Sequence, residues 1–196
     1  MKDLPAGWAW STLDELTDPD RPICYGILMP KEHAPDGVPY VKVKDFPNGR
    51  IDVDSLRRTA PSIAEKYKRS SLRPTDVLVS IRGTYGRVAL VPPELDGGNV
   101  TQDTARVAPV PGVDRTFVAH YLTSGQAQAY FKRVSRGVAV KGVNIGDLKR
   151  LPVPLPPKTE QERIVGAVED HLSRLDAAES ALTSAKLRVG AFARSG

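Results

Sequence analysis

Between residues 36 and 110, apolar positions fall in short runs or in strict alternation, each stopped by Gly, Pro or Asp. Segments 38–43, 76–81, 87–91 and 105–110 read as strands, because alternation suits a half-buried sheet and a continuous run suits a covered one. Helical patterns interrupt them. Residues 11–16 predict a short helix, and 62–69 opens with a capping box made by Ser62 and Glu65. Residues 114–133 place Phe117, Tyr121, Leu122, Tyr130 and Phe131 at near-helical spacing, which reads as core packing rather than a base-stacking platform. The expectation is an α+β fold with a sheet-containing domain.

The pattern changes at residues 151–157, where four prolines in six residues forbid helix and favour a stiff, extended connection. Thr159 and Glu162 then form a second capping box, from which a helix of about 30 residues, or about 45 Å, should run. Val168, Leu175, Leu182 and Val189 recur every seven residues. Ile164, His171, Ala178, Ala185 and Phe192 occupy the adjoining seam position, giving the alternating four-and-three spacing of a coiled coil. Such a stripe needs an apolar partner, either a second helix or the chain's own globular part.

Charge is distributed unevenly. The chain carries 28 Lys and Arg against 23 Asp and Glu. Residues 158–196 hold six of each sign, so the surplus lies entirely in 1–157. It concentrates in two stretches. One spans 57–73, with Arg57, Arg58, Lys66, Lys68, Arg69 and Arg73 against Glu65 alone. The other spans 132–150, with Lys132, Arg133, Arg136, Lys141, Lys149 and Arg150 against Asp147 alone. Basic patches of this kind suit a polyanionic partner or are simply solvated surface.

Catalytic signatures are missing. There is no phosphate-cradling G-x-x-x-x-G-K-[ST] loop, no dinucleotide G-x-G-x-x-G after a strand and no nucleophile elbow. Cys24 is the only cysteine and the three histidines are scattered, so neither an internal disulfide nor a zinc site is expected, and a reducing cytoplasm suits the chain. No membrane span is expected, because no apolar run approaches the required length. Asp147 and Lys149 have the acid-x-Lys shape of some metal-dependent nucleases but lack a partner carboxylate. No cofactor is called for. At 83–86 two glycines form a turn between two predicted strands, so a hairpin would project Arg82, Thr84, Tyr85 and Arg87 from its tip.

The order of these features resembles the DNA-specificity subunit of type I restriction-modification systems, and one half of such a subunit in particular. The resemblance is carried by Leu4-Pro5-Ala6-Gly7-Trp8 and by Gly37-Val38-Pro39-Tyr40-Val41-Lys42-Val43-Lys44-Asp45. It continues through Asp76-Val77-Leu78-Val79-Ser80-Ile81-Arg82-Gly83 and Gly86-Arg87-Val88-Ala89. It closes on the proline-rich junction with Glu160-Gln161 and Arg163-Ile164-Val165. It implies a noncatalytic, sequence-specific reader of double-stranded DNA. Residues 1–157 would be a target-recognition domain, and 158–196 a spacer helix on which methyltransferase subunits, with restriction subunits joining them, assemble. One recognition domain and one helix, where the full-length subunit has two of each, implies pairing of two copies through the helix and a bipartite, palindromic target. An adaptor that joins proteins through its helix and basic domain is the alternative.

Under the resemblance, basic side chains would fix register on phosphates and a few loop residues would contact base edges. The candidates are Lys42, Lys44, Arg82, Thr84, Tyr85, Arg87, Arg136, Lys141 and Asn144. Four have competing structural roles. Lys42 and Lys44 could lie on the solvent face of a strand, Arg87 could pair with Asp76 or another carboxylate, and Asn144 could cap a short helix leading to Leu148.

Overall fold

The computed structural model describes residues 3–137 and 141–192, with side chains of the terminal helix described as far as Thr183. The order is β1 (Ala9–Thr12), β2 (Cys24–Tyr25), β3 (Val38–Val41), β4 (Arg58–Thr59), α1 (Pro61–Lys66), β5 (Val77–Ser80), β6 (Val88–Leu90), β7 (Asn99–Val100), β8 (Thr104–Val107), α2 (Arg115–Thr123), α3 (Gly125–Val134), α4 (Ile145–Lys149), β9 (Pro152–Leu155) and α5 (Lys158–Phe192). It is a mixed α and β fold ending in a long helix.

The central sheet is ordered β2-β8-β5-β6 and is antiparallel throughout. Period-two alternation decides what each face meets. Val77 and Val79 of β5, with Ala105 and Val107 of β8, point to a core shared with Phe117, Val118 and Leu122 of α2 and Phe131 of α3. Leu78 and Ala89 point the other way, into a second core with Val41, Phe46, Leu72, Leu95 and Val100. That second core is roofed by the β4-β3-β7 sheet, in which β3 and β7 run parallel. Both faces of β5 are therefore covered, and all four of its residues are buried.

Arg106 breaks the apolar pattern. It lies opposite Leu78 and is fully buried. Its guanidinium donates to the carbonyls of Arg21, Pro22 and Arg69 at 3.0–3.1 Å. Asp76, also fully buried, receives both ends of the Arg21 fork at 2.7 and 2.8 Å and the Arg73 amide at 2.8 Å. Arg21 thus takes the role that the sequence offered to Arg87.

Four local expectations are corrected. Residues 11–16 are not a helix: 9–12 pair with β9, and a single turn follows in which the Thr12 amide and the Glu15 carboxylate bond at 2.7 Å. α1 starts at Pro61, whose fixed φ and missing N–H suit the first helical position, so Ser62 does not cap it. The segment 114–133 is two helices, broken where Ser124 adopts extended geometry and caps α3 through the Ala127 amide. α5 starts at Lys158, with the Glu160 and Gln161 amides bonded to the Pro157 carbonyl, so Thr159 lies inside the first turn.

Candidate nucleic-acid interface

The hairpin between β5 and β6 is braced from three sides. Ser80 Oγ donates to the Thr84 carbonyl at 2.6 Å and receives the Arg87 amide at 2.8 Å, closing the turn on itself. Ser135 Oγ bonds the Tyr85 hydroxyl at 3.3 Å. Gln128 of α3 donates to the Gly86 carbonyl at 2.9 Å. Tyr85 is half-buried and packs against the main core, whereas Arg82 and Thr84 are exposed.

Beside this hairpin lies a short extended strip, residues 141–143. The Gly83 amide bonds the Lys141 carbonyl at 3.0 Å and the Val143 amide bonds the Ile81 carbonyl at 2.8 Å. On the other side Arg136 and Gly142 exchange two bonds at 2.9 Å. Gly142 is therefore paired with Arg82 on one side and Arg136 on the other. Directly opposed residues in antiparallel strands project to the same face, about 4.5–5.5 Å apart, so the two arginines flank Gly142 with Cα atoms about 10 Å apart. Gly142 has no side chain to fill the space between them; a Cβ there would meet the Ile81 carbonyl at 2.8 Å and Arg82 Cγ at 3.2 Å. The result is a cavity of about 500 Å³ lined by Arg82, Asp103, Arg136, Gly142, Val143 and Asn144. Arg82 of the hairpin thus meets Arg136 and Asn144, which lie more than 50 residues further along the chain, and Lys141 adjoins them exposed.

Lys42, Lys44 and Arg87 form a separate group. Strand β3 ends before Lys42, and residues 43–45 form a tight helical turn, so the two lysines are not on the face of a strand. The Lys42 amide donates to the Asp45 carboxylate at 2.8 Å, its ammonium lies 5.3 Å from the Tyr40 ring centre, and Lys44 is exposed. Arg87 reaches the Val43 carbonyl at 3.4 Å, which ties this turn to the base of the hairpin.

Asn144 caps α4: its Oδ1 accepts the Asp147 amide at 2.8 Å, and its Nδ2 bonds the Asp147 carboxylate at 2.5 Å. One N–H and one oxygen lone pair of the amide remain for a ligand. Asp147 is buried and also receives Arg150 at 2.6 Å, while Lys149 pairs with Asp14 at 3.1 Å. The acid-x-Lys pair is thus engaged in separate structural contacts, and no group of three or more His, Cys, Asp or Glu among the described residues is placed to hold a metal.

The other basic stretch surrounds β4 and α1. Arg58 donates to the Gly37 carbonyl at 3.1 Å, Lys68 pairs with Glu65 at 3.1 Å, and Arg69 lies 5.8 Å from the Tyr25 ring.

The seam of α5 divides in two. Gln161, 2% exposed, accepts the Asp114 amide at 2.8 Å and donates to the Pro156 carbonyl at 3.0 Å. Ile164 packs against the chain's own core, and Val168 borders a groove with Trp8, Phe117, His120 and Tyr121. Further along, Leu172, Asp176 and Glu179 still border a cavity with Arg50, Leu90 and His120 of the domain, while the seam itself faces solvent: His171, Leu175, Ala178 and Leu182 are exposed, Leu175 by 64% and Leu182 by 61%. The side chains of Ala185, Val189 and Phe192 lie outside the described residues.

The chain belongs to the type I restriction modification DNA specificity domain family, whose model matches residues 5–187. It is 33% identical over 193 residues to the type I restriction enzyme EcoBI specificity subunit of Escherichia coli, a match covering 98% of this chain and 40% of that one. It is 21% identical over 188 residues to the EcoKI specificity subunit of Escherichia coli strain K12, covering 90% and 39%. The chain thus spans about two-fifths of the length of the curated relatives it matches. Its fold is similar to that of the HsdS subunit from Thermoanaerobacter tengcongensis, with TM-score 0.68, 24% identity and coverage of 90% and 40%. A second solved chain, of a type I R-M system, gives TM-score 0.72 at 24% identity, covering 92% and 42%. Both curated relatives are specificity subunits of type I restriction enzymes.

Proposed function

We propose that the chain reads one half of a bipartite double-stranded DNA target and directs methyltransferase subunits, with restriction subunits joining them, to that target. The observation that supports this most is the register of Arg82, Gly142 and Arg136, which holds two guanidinium groups, unpaired among the described residues, on either side of a side-chain-free floor. Residues 1–157 act as the target-recognition domain. Lys42, Lys44, Arg87 and Lys141 neutralise phosphates and set register. Arg82, Thr84, Tyr85, Arg136 and the free edge of Asn144 face the bases. Bracing of the hairpin by Ser80, Gln128 and Ser135 lowers the ordering cost of binding.

Residues 158–196 act as the spacer helix. The exposed Leu175 and Leu182 continue the heptad seam past the point where the domain covers it, which supports a coiled coil with the same helix of a second copy, arranged two-fold so that both half-sites are read. The chain works in the cytoplasm, where its DNA lies; no described helix is long and apolar enough to cross a membrane.

Binding of duplex DNA by the full chain across a salt series tests the reading. Log affinity should fall linearly with log salt, with a slope of about −0.9 per phosphate contacted. Salt-independent association, or none, contradicts the proposal and favours a protein-joining adaptor.

A further inference from the structure

Asp103 is a lone carboxylate in an otherwise basic cavity. It lines the same concavity as Arg82 and Arg136 and is half-buried, yet among the described residues it enters no ion pair and no side-chain hydrogen bond. Its backbone is firmly placed. The Asp103 carbonyl accepts the Ile81 amide at 2.8 Å, and the turn around it closes through a bond from the Thr104 amide to the Thr101 carbonyl at 3.2 Å. The fold therefore uses the main chain of Asp103 and leaves its carboxylate oxygens to a ligand.

On a surface that only gripped phosphates, a carboxylate at this point would repel the ligand. Base edges present a different demand. In the major groove a G·C pair offers two acceptors, guanine N7 and O6, beside one donor group, the cytosine N4 amine. The guanidinium fork of an arginine matches the two acceptors, and a carboxylate matches the amine. An A·T pair sets the adenine N6 donor beside N7, which opposes a fork of donors with a donor. A cavity that holds arginines and one unpaired carboxylate on a single face has the donor and acceptor pattern of a G·C edge.

Resting on the DNA-reading function above, we infer that Asp103 is a specificity-determining residue: it accepts a hydrogen bond from the N4 amine of one cytosine, while Arg82 or Arg136 donates to the paired guanine.

The test selects bound sequences from a randomised duplex library with the full-length wild type, Asp103→Ala and Asp103→Asn, each checked for folding by circular dichroism. Individual duplexes are then titrated. The wild type should select an obligate G·C pair at one position. Asp103→Ala should keep the rest of the motif while discrimination at that position falls about 5- to 150-fold, the range that one specific base contact supplies. Asp103→Asn retains an acceptor oxygen and should keep most of the preference. Unchanged sequence preference with uniformly tighter binding in Asp103→Ala overturns the inference, since Asp103 then only tempers the positive field. Absence of duplex binding by the wild type overturns the DNA reading beneath it, a distinct result.

Discussion

Gln128 Nε2 donates to two carbonyls at once, Gly86 at 2.9 Å and Leu122 at 2.8 Å, and so ties the tip of the β5–β6 hairpin to the junction of α2 and α3. Gly86 has φ +83°, and a Cβ there would come within 2.6 Å of Gln128 Oε1, so only glycine allows the clamp to close. Gln128→Ala is expected to lower unfolding free energy by about 1–3 kcal/mol, because two carbonyls lose their donor. Urea unfolding measures this. A loss below about 0.5 kcal/mol, the size of an ordinary surface change, would mean that the clamp does not hold the hairpin.

Tyr121 couples α2 to β9 by donating to the Pro152 carbonyl at 2.6 Å, and burial raises its pKa above the ordinary 10.0. The folded chain holds this proton more tightly than the unfolded chain. The contribution is therefore complete below about pH 10 and is lost as pH climbs through the raised folded value. Tyr121→Phe should cost about 1 kcal/mol near neutrality and flatten the decline in stability above about pH 10. Parallel pH profiles for the two proteins would contradict this.

Leu175 and Leu182 stand on the solvent-facing seam of α5. Light scattering should give a dimer for the full chain and a monomer for the double change Leu175→Glu and Leu182→Glu. Truncation must fall after Val168, because Gln161 and Ile164 belong to the packing of the globular part. A monomeric full chain would show that the seam does not pair with itself.

What the sequence discloses depends on how local the cause is. The β5–β6 hairpin is legible because its strands and both glycines are neighbours in the chain, and the aromatic positions of 117–131 because helical spacing holds within each of α2 and α3, although it hides the break at Ser124. β1 is not, because its partner is a proline-rich strand about 140 residues away. Pro152 and Pro154 are tolerated there only because β9 belongs to a two-stranded sheet. The buried Arg106 was hidden for the same reason: its carbonyl acceptors come from two distant loops. Of the candidate site, the sequence places Arg82 on a hairpin tip but offers Arg136, Lys141 and Asn144 only as separate basic or amide residues, and the pairing of Gly142 with both arginines unites them. Asp103 escaped notice because an isolated acid between strands carries no pattern of its own.

Hydrogen exchange of the full chain with and without a bound duplex tests the central claim most directly, since it places DNA on the surface without altering a side chain. The account predicts protection at residues 80–87 and 141–145, with a smaller effect at 42–45. Protection confined to 57–73, around β4 and α1, would show that DNA lies on the other basic stretch and that the Arg82–Gly142–Arg136 cavity is not the reading site.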